Sequence, residues 1–362
     1  MTKPVRVPAI ARDAVAEVPA RLLPYSLRRI WSPEVYQGGA RRNGYFEGWY
    51  LKCVDGAREH PVAFIPGVSH DANGGTSHSF VQVVRPGGKT SYLEYPLDAF
   101  SFDQQRFEVR VGPNVFSAAG AVLDIDRDGV EVRGSLRFGP WRPWPVTLLQ
   151  PGIMGPYRFV PRMECSHGVV SLDHAVDGTL TIDGAQVVYD GGRGYAEKDW
   201  GSSFPSSWVW AQSNHFSVPG VSVTVSTAKI PWMGSSFVGC IAGVLLGDEL
   251  YRFTTYTGAK LIASDTSPGS ARLTFADKHH TLETEVDGAV PSALKAPRHG
   301  QMIARADESL DATIRARLTR NRDGAVLLDD IGLHAGVEVM DSRGELAATR
   351  PYRSADSGHC PR

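Results

Sequence analysis

Cysteine is scarce in this chain of 362 residues: Cys53, Cys165, Cys240 and Cys360 stand far apart, with no Cys-x-x-Cys spacing. That argues against a disulfide framework or a zinc ribbon, so we expect reduced thiols in a cytoplasmic protein. An excess of one charge is lacking as well, since 38 Lys and Arg balance 39 Asp and Glu to a formal −1. A nucleic-acid binder would carry a basic face, and a polybasic anchor a cluster of Lys and Arg. No run approaches the roughly 18 apolar residues of a transmembrane helix. The longest apolar region, Phe237 to Leu246, is broken by Gly239 and Gly243. The opening Met-Thr-Lys-Pro-Val-Arg-Val-Pro has no apolar core of signal-peptide length. These absences exclude a nucleic-acid partner and a transmembrane segment, and leave room for transient contact with a membrane surface. Gly-x-Ser-x-Gly, Walker and dinucleotide fingerprints are missing in any strand-to-helix context, as are His-x-His and His-Glu-x-x-His. We therefore expect no cofactor and no metal.

Glycine (38) and proline (24) are plentiful, and the dominant hydrophobic period is two. Arg106 to Val111, Val130 to Arg133, Val221 to Ser226 and Ala312 to Leu318 all alternate polar with apolar residues. Alternation buries one face of a strand and wets the other. Asp-Gly pairs at 128–129, 177–178, 183–184, 287–288 and 323–324 bound such runs. They tolerate the positive φ of tight hairpins, so they read as turns. Many short antiparallel strands mean a barrel or sandwich.

Residues 1–40 read as an irregular arm, because Pro19 and Pro24 interrupt the weak helical periodicity of Ala9 to Ile30. Gly139 to Pro161 is dense in Pro, Gly and aromatics and reads as a long ordered connection, linking two halves or lying across a barrel mouth. Gly44-Tyr45-Phe46-Glu47 and Gly194-Tyr195-Ala196-Glu197, each followed by a Trp, echo one another. A duplicated barrel would place equivalent first strands there. We accordingly divide the chain into an arm (1–40), two barrel domains (41–190 and 191–345) and a tail (346–362).

Chemistry concentrates between Tyr195 and Phe216, where Glu197, Lys198 and Asp199 sit beside Trp200, Trp208 and Trp210. A strand from Ser207 places Trp208, Trp210, Gln212 and Asn214 on one face. Such a face suits either a ligand cavity with orienting polar groups or a packed barrel whose indoles find polar partners. Likewise Tyr45, Glu47, Trp49 and Leu51 share a face. Glu47 there is either an apolar-pocket acid with a raised pKa or one half of a buried ion pair. His78 and Gln82 share a strand face, and His70, His167, His174 and His215 add further titratable groups.

Tyr45-Phe46-Glu47-Gly48-Trp49-Tyr50, Tyr195-Ala196-Glu197-Lys198-Asp199-Trp200-Gly201 and Trp208-Val209-Trp210-Ala211-Gln212-Ser213-Asn214 resemble the signatures of the tocopherol cyclase family. Weaker likeness at Asn114–Ala118, Ala293–Pro297 and Val337–Val339 extends it to roughly residues 45–340. Met163 to Gly168 looks more like bacterial members than plant enzymes. The resemblance implies an all-β fold of two lipocalin-like antiparallel β-barrel halves, as in carotenoid-hydratase-like proteins. It also implies a cofactor-independent reaction in which an alkene is protonated and the carbocation captured, on a prenylated aromatic or isoprenoid substrate. Glu47, Glu197 and Asp199 would be the proton donors, with Lys198 tuning them or holding a phenol oxygen. Tyr45, Trp49, His78, Gln82, His174, Tyr195, Trp200, Trp208, Trp210, Gln212 and Asn214 would bind substrate. Ser213 stands where a Cys is usual, and several plant aromatics are missing. Those departures argue against the tocopherol precursor itself. A carrier of an unchanged lipophilic ligand and an isoprenoid hydratase or isomerase are the rival readings.

Overall fold

A computed structural model describes residues 5–6, 23–39, 43–72, 75–161, 163–232, 234–288, 290 and 292–346, apart from the side chains of Val5, Arg6 and Arg305. Most of the expected arm, and the tail beyond 346 with Cys360, lie outside the described residues. The fold is all-β, built from two antiparallel sheets. No helix among the described residues is long and apolar enough to cross a membrane.

The first sheet runs in the order Lys89–Pro96, His78–Arg85, Val62–His70, Tyr45–Val54, Gly192–Gly201, Cys165–Ile182, Val130–Phe138, Gly120–Arg127, Asn114–Ser117, Glu108–Val111 and Phe100–Phe102, with Ala185–Val188 on Cys165–Ile182. It curls over its own core. Asn114 near one end donates to the Tyr95 hydroxyl at the other (3.2 Å), and Leu93, Phe107, Val109, Phe116 and Trp49 pack together between them. The second sheet runs Val5–Arg6, Glu249–Thr254, Ser235–Leu246, Ser222–Trp232, Trp208–Ser213, Ala325–Met340, Gln301–Arg320, His280–Asp287, Ser270–Ala276 and Lys260–Ser267, with Ser292–Arg298 on Gln301–Arg320. Val209, Val225, Ala242, Phe253, Phe275 and Ile314 form its separate core.

Turn chemistry explains much of this. Asp128 and Gly129 both take positive φ (54° and 75°), as do Asp183 and Gly184 (49° and 82°). Each pair is the two-residue turn of a hairpin, with Arg127 opposite Val130 and Ile182 opposite Ala185. The Asp177-Gly178 pair does not end a strand as expected but lies inside Cys165–Ile182. Gly178 is needed there for close approach, since a Cβ would meet the Ser135 carbonyl oxygen at 2.3 Å.

The echoed segments are neighbours, not counterparts in two barrels. Tyr45–Val54 pairs directly with Gly192–Gly201, Glu47 opposite Trp200 and Tyr50 opposite Glu197. The chain passes to the second sheet between Gly201 and Trp208, later than the 190/191 division read from the sequence. Gly139 to Pro161 joins two strands of the first sheet yet reaches the second: the Trp144 ring lies against Gly243, and Arg142 pairs with Asp248 at 2.8 Å.

A third apolar cluster, including Tyr50, Val169, Leu172, Tyr195, Trp208, Trp210, Leu294 and Leu310, lies where the two sheets meet. Strands at this meeting are buried on both faces. In Tyr45–Val54 the odd residues Tyr45, Trp49, Leu51 and Cys53 enter the first core, while Tyr50 points to the other sheet. In Trp208–Ser213 the indoles of 208 and 210 point to the meeting, and Val209 and Ala211 enter the second core.

Candidate functional site

Between the sheets lies a cleft that opens to solvent, with a cavity volume of about 180 Å³. The first sheet contributes Phe46, Gly48, Tyr50, Ile65, Phe80 and Gln82; the second contributes Trp208, Trp210, Ala228, Ile230 and Leu294. Met154 and Tyr157 of the proline-rich connection close one side. The lining is mostly apolar, as lipophilic ligand pockets are. One patch departs from this: Glu197, Asp199, His167, Glu308 and Glu338 all reach the same cavity.

Strand register assembles that patch. His167 lies opposite Asp199, and Glu197 opposite Tyr50, in the first sheet. Trp210 lies opposite Glu338, and Glu338 opposite Glu308, in the second. The two rows then bond across the gap. The Trp210 indole N–H donates to Glu197 Oε2 (3.0 Å), and the Tyr50 hydroxyl donates to Glu308 Oε1 (2.7 Å). Tyr195 donates a second bond to Glu197 Oε2 (2.5 Å), and Trp208 Nε1 donates to Glu338 Oε2 (2.5 Å). The Tyr50 and Trp210 rings meet edge to face with centroids 5.3 Å apart.

Electrostatics follow from crowding acids in a dry place. Burial raises Glu197 to about 7, partly offset by His167. Burial, reinforced by Glu197, raises Glu308 to about 8 against the lowering bond from Tyr50. Burial and then Glu308 push Glu338 well above the carboxylate range. For His167 burial acts downward, but Asp199 and Glu197 outweigh it and raise the imidazole to about 9. Lys52 is buried behind the patch, donating to the His334 carbonyl (2.8 Å), and burial lowers it to about 7.

Of the residues named from sequence, Gln82, Glu197, Asp199, Trp208 and Trp210 line the cavity, and Tyr195 backs it. Gln82 clamps the Lys295 backbone of the other sheet, donating at 3.0 Å and accepting at 3.1 Å. Glu47, Lys198, Trp49 and Trp200 are brought together elsewhere, away from the cavity. Glu47 and Lys198, both fully buried, form an ion pair at 2.5 Å. Glu47 also accepts from the backbone N–H groups of Gln37 (2.8 and 2.9 Å) and Gly38 (3.0 Å) and from the Tyr45 hydroxyl. Lys198 lies over the rings of Trp49 (4.5 Å) and Trp200 (5.1 Å) and donates to the carbonyls of Pro33 and Val35. Of the two roles considered for Glu47, the geometry fits the ion pair, which pins residues 33–38 to the first sheet. His78 pairs with the Tyr92 hydroxyl at 2.6 Å. His174 is packed between Phe138 and Trp141, and burial lowers it to about 3. Asn214 donates to Asp173 (3.0 Å) and to the Gly194 carbonyl (2.9 Å). Gln212 is wholly buried, and its amide has no hydrogen-bond partner among the described residues.

Donor atoms of His167, Glu197 and Asp199 lie within 4.8 Å of one another. Each imidazole nitrogen faces a different carboxylate, however: Nδ1 lies 2.9 Å from Asp199 and Nε2 3.6 Å from Glu197. The ring is thus hydrogen-bonded to Asp199 through Nδ1, while Nε2 faces Glu197 beyond hydrogen-bond distance, and each of the three residues offers one ligand atom to a common centre. Sequence reasoning noticed His167 without assigning it, and missed Tyr50, Glu308 and Glu338. Their one local sign is in Tyr45–Val54, where aromatics alternate onto both faces.

A family model described as tocopherol cyclase-like matches residues 117–340. A probable chloroplastic tocopherol cyclase of Oryza sativa subsp. japonica is 27% identical over 174 residues, covering 45% of this chain and 36% of that protein. The chloroplastic tocopherol cyclase of Zea mays is 25% identical over 175 residues, with the same coverage of 45% and 36%. The chain thus spans just 36% of the length of the curated relatives it matches. Among solved structures, CghA superposes with a TM-score of 0.51 at 10% identity, covering 82% of this chain and 88% of that one, a likeness of fold.

Proposed function

The chain belongs to the tocopherol cyclase-like family, and from that premise we propose that it is a cofactor-independent cyclase closing a ring on a prenylated aromatic or polyene substrate. The observation that carries this reading is the Glu197 carboxyl group, held by Tyr195 and Trp210 at the wall of an apolar cavity. A carboxylic acid that keeps its proton near neutral pH is what alkene protonation requires.

In the proposed step the O–H bond of Glu197 breaks and a C–H bond forms on the substrate alkene. The resulting tertiary cation is stabilised by the faces of Trp208, Trp210 and Tyr50. A substrate hydroxyl or alkene then captures it, and the proton released in capture returns to the site, so the product is an isomer of the substrate. Phe46, Ile65, Phe80 and Leu294 supply an apolar wall that limits access of competing water. Glu308 and Glu338, with burial raising both, keep net negative charge low around Glu197.

The test is incubation of the protein with a geranylated hydroquinone in D₂O, read by mass spectrometry. A ring-closed isomer carrying one solvent deuterium, lost in Glu197→Gln, is the expected result. A product heavier by one water would make the protein a hydratase. A bound lipid recovered unchanged and without deuterium would make it a carrier.

A further inference from the structure

We propose that His167 is a proton relay that recharges Glu197 from Asp199 after each turnover. The inference rests on the reading of Glu197 as the acid and assigns the group that restores it.

The geometry is a row running inward from solvent. The side chain of Asp199 is 25% exposed, that of His167 15%, and that of Glu197 6%. Cross-strand register fixes the order. His167 is opposite Asp199, and Glu197 lies two residues along the same strand, on the same face. The imidazole therefore offers one nitrogen to each acid: Nδ1 at 2.9 Å from Asp199 Oδ1, Nε2 at 3.6 Å from Glu197 Oε2. Nε2 is buried and has no hydrogen-bond partner among the described residues. The gap to Glu197 is one that a small tilt of the ring closes. Glu197 has two other close partners, and neither leads outward. The Trp210 indole donates but accepts no proton in return, and the Tyr195 hydroxyl continues to buried Thr224 at 3.2 Å.

The balance is simple. When Glu197 has given its proton to the alkene, its carboxylate takes the Nε2 proton of His167. The ring keeps its Nδ1 proton and turns its bare nitrogen to Asp199, which has received the proton released from the capturing group and with it restores the imidazolium. No electron moves between redox partners, and the proton count over the cycle is zero.

A relay serves the second turnover, not the first. His167→Gln, which keeps an amide of similar reach but passes no proton, should give a burst of about one product per protein on a geranylated hydroquinone. The steady rate after it should fall at least tenfold, and added imidazole should restore it. Asp199→Asn should give the same burst, and thermal melting of both variants checks folding. A linear progress curve at the wild-type rate, or equal loss of first and later turnovers, overturns the relay. Absence of solvent deuterium from the wild-type product sinks the acid reading of Glu197 itself and is seen separately. A second measurement needs no turnover: ¹⁵N NMR of the imidazoles, with His167 assigned from the His167→Gln spectrum. Both ring nitrogens should be protonated at neutral pH, and Glu197→Gln and Asp199→Asn should each shift one. A neutral ring indifferent to Glu197→Gln overturns the proposal.

Discussion

Tyr50 in the first sheet and Glu308 in the second, 258 residues apart, share a hydrogen bond of 2.7 Å across the cavity. It ties the two sheets at the floor of the site and at the same time sets the state of an acid, because the phenol bond lowers Glu308 against the push of burial. Tyr50→Phe should therefore do two things. It should cost about 1–3 kcal/mol of stability in urea unfolding, the usual result of leaving a buried acceptor without its donor. It should also raise Glu308 further, which infrared spectroscopy of the protonated carboxyl band would register. An unchanged urea midpoint would mean the sheets are held elsewhere.

Glu47→Gln separates the buried ion pair from the acidic patch at the cavity. Glu47 is wholly buried against Lys198 and three further donors, and removing one partner of such a pair costs roughly 3–5 kcal/mol. The expected outcome is a large fall in stability with turnover per folded molecule retained. Glu197→Gln should show the reverse, a stable protein without turnover. Denaturant titration and activity corrected for folded fraction decide it. Turnover lost at full stability in Glu47→Gln would return Glu47 to the chemistry.

These two residues show what the sequence reveals and where it stops. Period-two alternation correctly separated Trp208 and Trp210 from Val209 and Ala211, because a strand's faces are fixed by covalent geometry. The same rule grouped Tyr45, Glu47 and Trp49, but it does not say which face meets the cavity. In a strand buried on both sides the choice is made by the other sheet, and here the cavity took Phe46, Gly48 and Tyr50. Glu308 and Glu338 were harder still. Val337-Glu338-Val339 reads like an ordinary half-wet strand. Its acid is buried because Trp210 and Glu308 are its register neighbours and the first sheet covers it, and neither relation is local.

Acid and base should bracket the activity from opposite sides. The donor form of Glu197 is present below about 7, so turnover should fall as pH rises through that value. The limb belongs to the whole patch, since His167, Glu308 and Glu338 titrate beside it. On the acid side the limit is stability. Burial lowers His174 to about 3 and His215 to about 2, so both are neutral when folded. Below about 4.5 the raised carboxyls of Glu197, Glu308 and Glu338 are protonated in both states, and the unfolded chain still binds protons at these imidazoles that the folded chain does not, so stability falls as pH drops from there. Melting temperature and initial rate across about pH 3 to 9 would test both limbs. A rate that climbs steadily above pH 8 would contradict the acid assignment.

Chelation should leave the protein unaffected. The imidazole of His167 turns one nitrogen to each carboxylate. Prolonged dialysis against EDTA, followed by assay and melting, should change neither quantity. Loss of activity restored by zinc would recast His167, Glu197 and Asp199 as a metal site.

Trp210 lets the two duties of an aromatic wall be taken apart. Its indole N–H donates to Glu197 and lowers that acid, while its ring lies beside Tyr50 at the cavity surface. Trp210→Phe keeps a ring and loses the donor. Glu197 should then titrate higher, and the alkaline limb of the rate profile should move to higher pH with little change in its plateau. Trp210→Leu loses both, and the plateau should also drop by about tenfold, the effect of forfeiting a cation–π contact of about 1–2 kcal/mol in a dry site. If the two variants share one plateau, the ring plays no part in stabilising charge, and Trp210 serves the acid alone.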